Sequence, residues 1–132
     1  MAEFRPLDEQ ANFGEHHWKV PGLDQRVLLH DEDVMIVYVK IPPGTRFPVH
    51  SHPEVQMGVQ LQGRAKITLQ DGQHEIGPYT AYHYASGEPH GAEVLGDEPV
   101  IQLDVFRPVR EDYLAAAAEA GKHTDDITDD RG

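Results

Sequence analysis

The chain has 132 residues, 11 of them Lys or Arg and 23 Asp or Glu, for a net charge of −12 with histidine neutral. That length suits one domain around one core, and the acidity speaks against nucleic acid or an anionic membrane, where basic patches carry the affinity. There is no cysteine, so disulfides and thiolate ligands are excluded, and any metal must be held by histidine, carboxylate or amide. No apolar run approaches a membrane span and the charged N-terminus has no apolar signal region. A cytoplasmic protein is expected, with neither nucleic-acid nor membrane partners.

In chain order, residues 1–25 read as a polar, irregular N-terminal arm. Its cluster His16, His17 and Trp18 reads as an arm packing its one tryptophan on the body, because adjacent side chains on an extended segment diverge and make a poor metal site. Residues 25–30 form a short strand, 31–33 (Asp-Glu-Asp) a turn, and the β-branched run 34–41 a second strand ended by Pro42-Pro43-Gly44. Beyond 44–63, Ala65, Ile67 and Leu69 alternate with Arg64, Lys66, Thr68 and Gln70 as a half-buried strand. Asp71-Gly72 is a hairpin signal of the type I′ kind. Residues 73–76, 80–84, 92–95 and 99–106 supply further strands. Many short strands at this spacing predict an all-β sandwich or barrel of the jelly-roll kind. Residues 111–121, EDYLAAAAEAG, read as a short C-terminal helix stopped by Gly121. Residues 122–132 are acidic, nearly without apolar groups, and expected to be disordered. The division is therefore an arm (1–25), a barrel domain with its helix (26–121) and a tail (122–132).

The chemistry concentrates in 44–63, GTRFPVHSHPEVQMGVQLQG. On an extended strand His50 and His52 share a face, Pro53 turns the chain, and a strand from about residue 55 brings Gln56 back towards the imidazoles. His90, in SGEPHG, is the fourth candidate. Three imidazoles and one amide oxygen make a site of borderline softness, suited to one divalent Zn, Ni, Fe or Mn. Four neutral donors would leave that ion's charge undiminished. If Gln56 faces the site, Gly58 and Gln60 share its face, and Val55, Met57, Val59 and Leu61 point outward. Four apolar side chains in an outward row need a cover, and a homodimer is expected.

The order Gly44, His50-x-His52, Gln56, Gly63 resembles the first motif of the cupin superfamily, with Gln56 where Glu is usual. The segment 77–90, GPYTAYHYASGEPH, resembles the second motif with His90 as its histidine, although Tyr79 stands where glycine is common, Ala85 where proline is common and Val94 where Asn is common. The resemblance implies a small cupin jelly-roll β-barrel with a metal inside. HSHPEVQ, then PHG, then LDVFRPVRED at 103–112 is similar to the KdgF-type cupins, the uronate-linearising proteins of pectin and alginate breakdown. It implies a metal-dependent enzyme of the isomerase/lyase type. Its reaction opens and ketonises cyclic 4,5-unsaturated monouronates to open-chain keto acids. The implied ligands are His50, His52, Gln56 and His90, and the implied catalytic residues Asp104, Phe106 and Arg110.

The residues themselves are compatible with those roles and with plainer ones. Asp104 and Phe106 share a strand face with Gln102 and Val100. A carboxylate there is costly unless paired or used, and Arg107 or Arg110 could pair it. Phe106 could be core, and Arg110 could bond Glu111 or Asp112 at the surface. Its planar guanidinium is equally the natural clamp for a substrate carboxylate. Two other classes fit a three-histidine barrel: an Fe(II)-dependent cupin dioxygenase, and a non-enzymatic small-molecule-binding or sensor cupin. The sequence assigns no role to His16, His17 or His83.

Overall fold

A computed structural model describes the backbone of residues 1–131, with side-chain surroundings through residue 122. The alternating segments become β1 (Asp24–His30), β2 (Met35–Ile41), β3 (Arg46–His50), β4 (Val55–Gln62), β5 (Arg64–Leu69), β6 (Gly72–Ile76), β7 (Thr80–Tyr84), β8 (His90–Leu95) and β9 (Val100–Arg107). They form a five-stranded sheet, β1-β2-β9-β4-β7, and a four-stranded sheet, β3-β8-β5-β6, both antiparallel. The inner faces enclose one core. Met35, Val37, Val100 and Phe106 come from the larger sheet and Ala65, Ile67 and Val94 from the smaller. Full burial of each large apolar side chain contributes about 1.5–3 kcal/mol. The jelly-roll expectation is met.

Register places the inner side chains in rows across the five-stranded sheet. Tyr82, Gly58, Asp104 and Val37 stand opposite one another on successive strands, and Tyr84, Gln56, Phe106 and Met35 form the next row. Gln60 and Gln102 pair in a third, where the Gln102 amide donates to Gln60 Oε1 at 3.1 Å and Gln60 Nε2 donates to the Gly63 carbonyl at 2.9 Å. The interior of β4 is therefore polar, as its alternation predicts. Its outer face leaves Met57 and Leu61 exposed.

Three local readings change. The arm is not irregular throughout. It holds a single turn at Leu7–Glu9 and the helix α1 (Gly14–Trp18), while β1 already begins at Asp24. Phe13 anchors this segment in the core, and Asn12 Oδ1 accepts the Gly14 N–H at 3.0 Å, which starts the helix. The β5–β6 hairpin turns on Gln70 and Asp71, with Leu69 opposite Gly72, so Gly72 is the first residue of β6. The C-terminal helix α2 (Glu111–Arg131) does not stop at Gly121. A glycine inside a helix costs about 1 kcal/mol relative to Ala, but it ends one only by taking a left-handed turn, and Gly121 has no positive φ. The side chains of 123–132, where the tail is expected, lie outside the described residues. Tyr79, at the position where glycine is common, does adopt a positive φ of 63° and stays largely exposed.

Candidate functional site

β3 carries a register irregularity between Phe47 and His50. Without it Phe47 and Val49 would share the inner face. With it His50 turns inward beside His90, its register partner. Phe47 and Val49 pack within 3.1–3.2 Å of the position a Gly91 side chain would need, which holds the bulge against β8. His52 follows in the bend after β3, and β8 supplies His90. The ligand atoms of His50, His52 and His90 all lie within 4.8 Å of one another, and among the described residues this is the cluster with metal-site spacing. His16 and His83 are exposed and His17 sits beside Asp112 at 3.6 Å. None of these three joins it.

Each histidine is oriented the same way. Nδ1 of His50, His52 and His90 lies 2.9, 3.0 and 2.9 Å from the backbone carbonyls of Pro48, Glu54 and Glu88. A carbonyl only accepts, so each Nδ1 carries the hydrogen and each Nε2 is a bare lone pair, the arrangement seen when imidazole binds a metal. Burial holds His52 below its ordinary pKa, helped by the Arg110 charge. Burial, opposed by the Glu88 carbonyl but assisted by the other two imidazoles, takes His90 down to about 4. Both stay neutral at ordinary pH.

Gln56 closes the set. Its Oε1 lies 3.1 Å from His52 Nε2, while its amide N–H is turned towards Asp104, whose pKa it lowers. This is the orientation that suits both neighbours, because a carboxylate does not donate. The His52–Gln56 contact therefore brings two acceptors together, a geometry satisfied by a shared cation or proton. The donor set fits a divalent metal.

Asp104 lies on the other side of Gln56. It is 4% exposed, and burial raises its pKa to about 6 against the bonds from Tyr82 and Gln56 and the charge of Arg110, all of which lower it. Tyr82 Oη donates to Asp104 Oδ1 at 2.5 Å. The two side chains meet across Gly58, where a Cβ would lie 2.5 Å from both. Neither Arg107 nor Arg110 makes an ion pair with Asp104 among the described residues, so the structural salt bridge is not what holds it.

Phe106 is buried at 2% exposure with its ring 5.7 Å from that of His52. Arg110 is 6% exposed. Its guanidinium lies 3.7 Å over the Tyr113 ring and 5.1 Å over Phe106, and its Nε and Nη2 donate to Asp112. The plain pairing with Asp112 is thus present, yet Nη1 has no hydrogen-bond partner among the described residues. Arg110, Phe106, Asp104, Gln56, His50 and His90 line one cavity. Sequence reasoning missed Tyr82 and Tyr84. Tyr84 stacks on His90 with ring centroids 4.1 Å apart and planes at 4°. The available signal was Gly58, since an inward glycine in a strand marks close approach by another group.

The cupin domain family matches residues 37–106. The solved structure of KdgF from Halomonas sp. is 27% identical, covers 83% of this chain and 98% of its own, and superposes with a TM-score of 0.72. An RmlC-like cupin from Shewanella frigidimarina is 19% identical over 86% of this chain and 96% of its own, with a TM-score of 0.73, a likeness of fold. A Bacillus subtilis protein named H2HPP isomerase is 35% identical over 78 residues, 58% of this chain and 32% of that protein. The chain spans about a third of that relative's length.

Proposed function

The chain belongs to the cupin domain family, and from that premise we propose that it linearises 4,5-unsaturated monouronates of the kind released from pectin or alginate, using one divalent transition metal (Ni, Zn, Fe or Mn). The observation that carries this reading is Asp104. It is a buried carboxyl with a pKa of about 6, in no ion pair among the described residues, and beside the same Gln56 whose oxygen faces the histidine cluster. Likeness to the Halomonas KdgF supports it.

A 4,5-unsaturated uronate is a cyclic enol ether with a free anomeric hydroxyl and a carboxylate. His50, His52, His90 and Gln56 would hold the metal, which when bound supplies Lewis acidity towards a substrate oxygen. Asp104 takes the anomeric O–H proton as the bond between C1 and the ring oxygen breaks and C1 becomes an aldehyde. C4 then accepts that proton from Asp104 as the C5 oxygen becomes a ketone, so atoms and charge balance with no redox change. A carboxyl of pKa about 6 is mostly ionised at neutral pH yet strong enough as an acid to return the proton. Tyr82 keeps its own proton, because burial and the Asp104 charge raise its pKa, and holds the carboxylate in one orientation. Arg110 offers its free Nη1 to the substrate carboxylate, and Phe106 packs on the sugar ring.

The outward apolar face of β4 and β9, with Met57 and Val59 on β4 and Leu103 and Val105 on β9, is the surface we assign to a homodimer contact. We place the protein in the cytoplasm; among the described residues no helix is long and apolar enough to cross a membrane. The experiment is the loss of enol-ether ultraviolet absorbance from an unsaturated monouronate, with and without the protein. Linearisation at the uncatalysed rate overturns the reaction, and oxygen consumption with bound iron would replace it by a dioxygenase.

A further inference from the structure

Among the described residues two buried polar side-chain atoms have no hydrogen-bond partner: Trp18 Nε1 and Gln25 Oε1. Both residues line the cavity that holds Asp104 and His50, and neither belongs to the machinery assigned above. Their placement is built. The Phe13 N–H donates to the Gln25 carbonyl at 2.9 Å and the Gln25 N–H donates to Asn12 Oδ1 at 3.0 Å, which staples the arm to β1 on both sides of one residue. Gly14 packs so closely there that a Cβ would meet Gln25 N at 2.9 Å.

The staple sends the Gln25 side chain inward, where it is 6% exposed and its amide faces the Tyr113 hydroxyl, whose pKa it lowers. Whichever way that amide is turned, one of its two polar atoms remains unpaired. Trp18 stands edge-on to Phe47 and to His50, with ring centroids 5.3 and 5.5 Å away. Its indole N–H can only donate. Nature rarely leaves such atoms unmatched inside a protein.

We propose that Trp18 and Gln25 are specificity residues that bond hydroxyl groups of a cyclic hydroxylated carboxylic acid, so that the N-terminal arm forms part of the substrate site. A hydroxyl both donates and accepts, and so meets the indole N–H and either orientation of the Gln25 amide. A flat acid without ring hydroxyls would leave both orphaned. The inference rests on the sugar-acid reading of the site and adds the residues that would read the sugar.

The test uses Trp18→Phe, which keeps a ring against Phe47 and His50, and Gln25→Met, which keeps the volume. Both are checked for fold by circular dichroism. Calorimetry of the metal-loaded protein compares D-galacturonate with tetrahydropyran-2-carboxylate, a ring acid lacking the hydroxyls. Galacturonate should bind each variant roughly tenfold more weakly than wild type, about one lost hydrogen bond, while the hydroxyl-free acid binds all three equally. Trp18 is the only tryptophan, so galacturonate should also shift the wild-type fluorescence. If Gln25→Met fails to fold, Trp18→Phe decides alone. Equal galacturonate affinity in a folded variant, or no wild-type preference for galacturonate, overturns the proposal and leaves water as the partner of both atoms. A wild type that discriminates the two acids through these residues but linearises nothing keeps this inference and removes the reaction. One that linearises with KM unchanged in both variants does the reverse.

Discussion

The histidine rim and the Asp104 floor belong to one cavity but are oriented by opposite means. On the rim, each imidazole is fixed by a backbone carbonyl two residues away in sequence, Pro48 for His50, Glu54 for His52 and Glu88 for His90. On the floor, Asp104 is held among side chains from two other strands, Tyr82 of β7 in its own row and Gln56 of β4 in the next row, brought to it by register. The rim is thus a property of short segments, and the floor a property of the sheet. Gln56 is the hinge between them, one amide atom on each side. A change on the rim should remove the metal and spare the carboxyl, whereas a change on the floor should spare the metal and move the proton chemistry.

The largest effect is expected on the rim. His50→Ala and His90→Ala should take the metal content from about one ion per chain to none after desalting, measured by elemental analysis, and abolish turnover. Retention of metal by both variants would show that the cluster is a buried aromatic contact and nothing more.

Next comes Asp104→Asn, which should keep the metal and lose about 100- to 10,000-fold in turnover. It also carries a stability consequence that can be read in chelated protein. The folded pKa of Asp104 is about 6, above its ordinary 3.8, so folding favours the neutral form. The contribution of Asp104 is at its best below 3.8 and is lost as pH rises through 6. The Asn variant should therefore gain stability over wild type at neutral pH, by about 3 kcal/mol from about two units of pKa. The gain should fade as pH falls from 6 to 3.8. Denaturant melts at pH 7 and pH 4 show it, and an equal difference at both would mean that the carboxyl is already satisfied.

Gln56→Glu tests the hinge. A carboxylate is the stronger donor to a hard or borderline ion, so metal affinity should hold or rise. On the other side the substitution removes the amide that lowers the Asp104 pKa and sets a second carboxylate beside it, which raises that pKa further. Turnover at neutral pH should fall and the activity profile should move to higher pH, with metal content unchanged. Wild-type rates in this variant would make Gln56 a packing substitute.

These residues also mark what was legible in the sequence. The strands follow from alternation and turn residues, and His50, His52 and Gln56 fall within one short segment whose spacing fixes their common side. His90 was a candidate from its own turn segment, and the catalytic roles of Asp104, Phe106 and Arg110 were assigned by likeness to a family pattern. The structure brings these four to one cavity with His50 and Gln56, His52 standing in the cluster with His50 and His90. Tyr82 and Gln25 were not found, because their roles depend on which strands neighbour β9 and β1 and in what register, which no local pattern specifies. The end of α2 was misread for the opposite reason. A local rule about Gly121 was applied where continuing the helix costs only about 1 kcal/mol.

The smallest expected effect is that of Tyr82→Phe, and it separates a floor built by register from a floor built by Asp104 alone. The substitution keeps the ring that packs 5.5 Å from Tyr84 and deletes the one hydroxyl that donates to Asp104. The carboxyl loses a bond that lowers its pKa, so the rising limb of the activity profile should move to higher pH while metal content and the KM for uronate stay as they are. Turnover at neutral pH should fall about tenfold, the worth of one charged hydrogen bond of roughly 1.5 kcal/mol. Gly58→Ala approaches the same contact from the third strand. Its Cβ would lie 2.5 Å from both the tyrosine and the carboxylate, forcing them apart while each keeps its chemistry. If register is what orients Asp104, the two variants should give the same alkaline shift, and combining them should add little to either alone. A shift in neither, with the Asp104→Asn loss intact, would leave Gln56 as the group that holds the carboxylate.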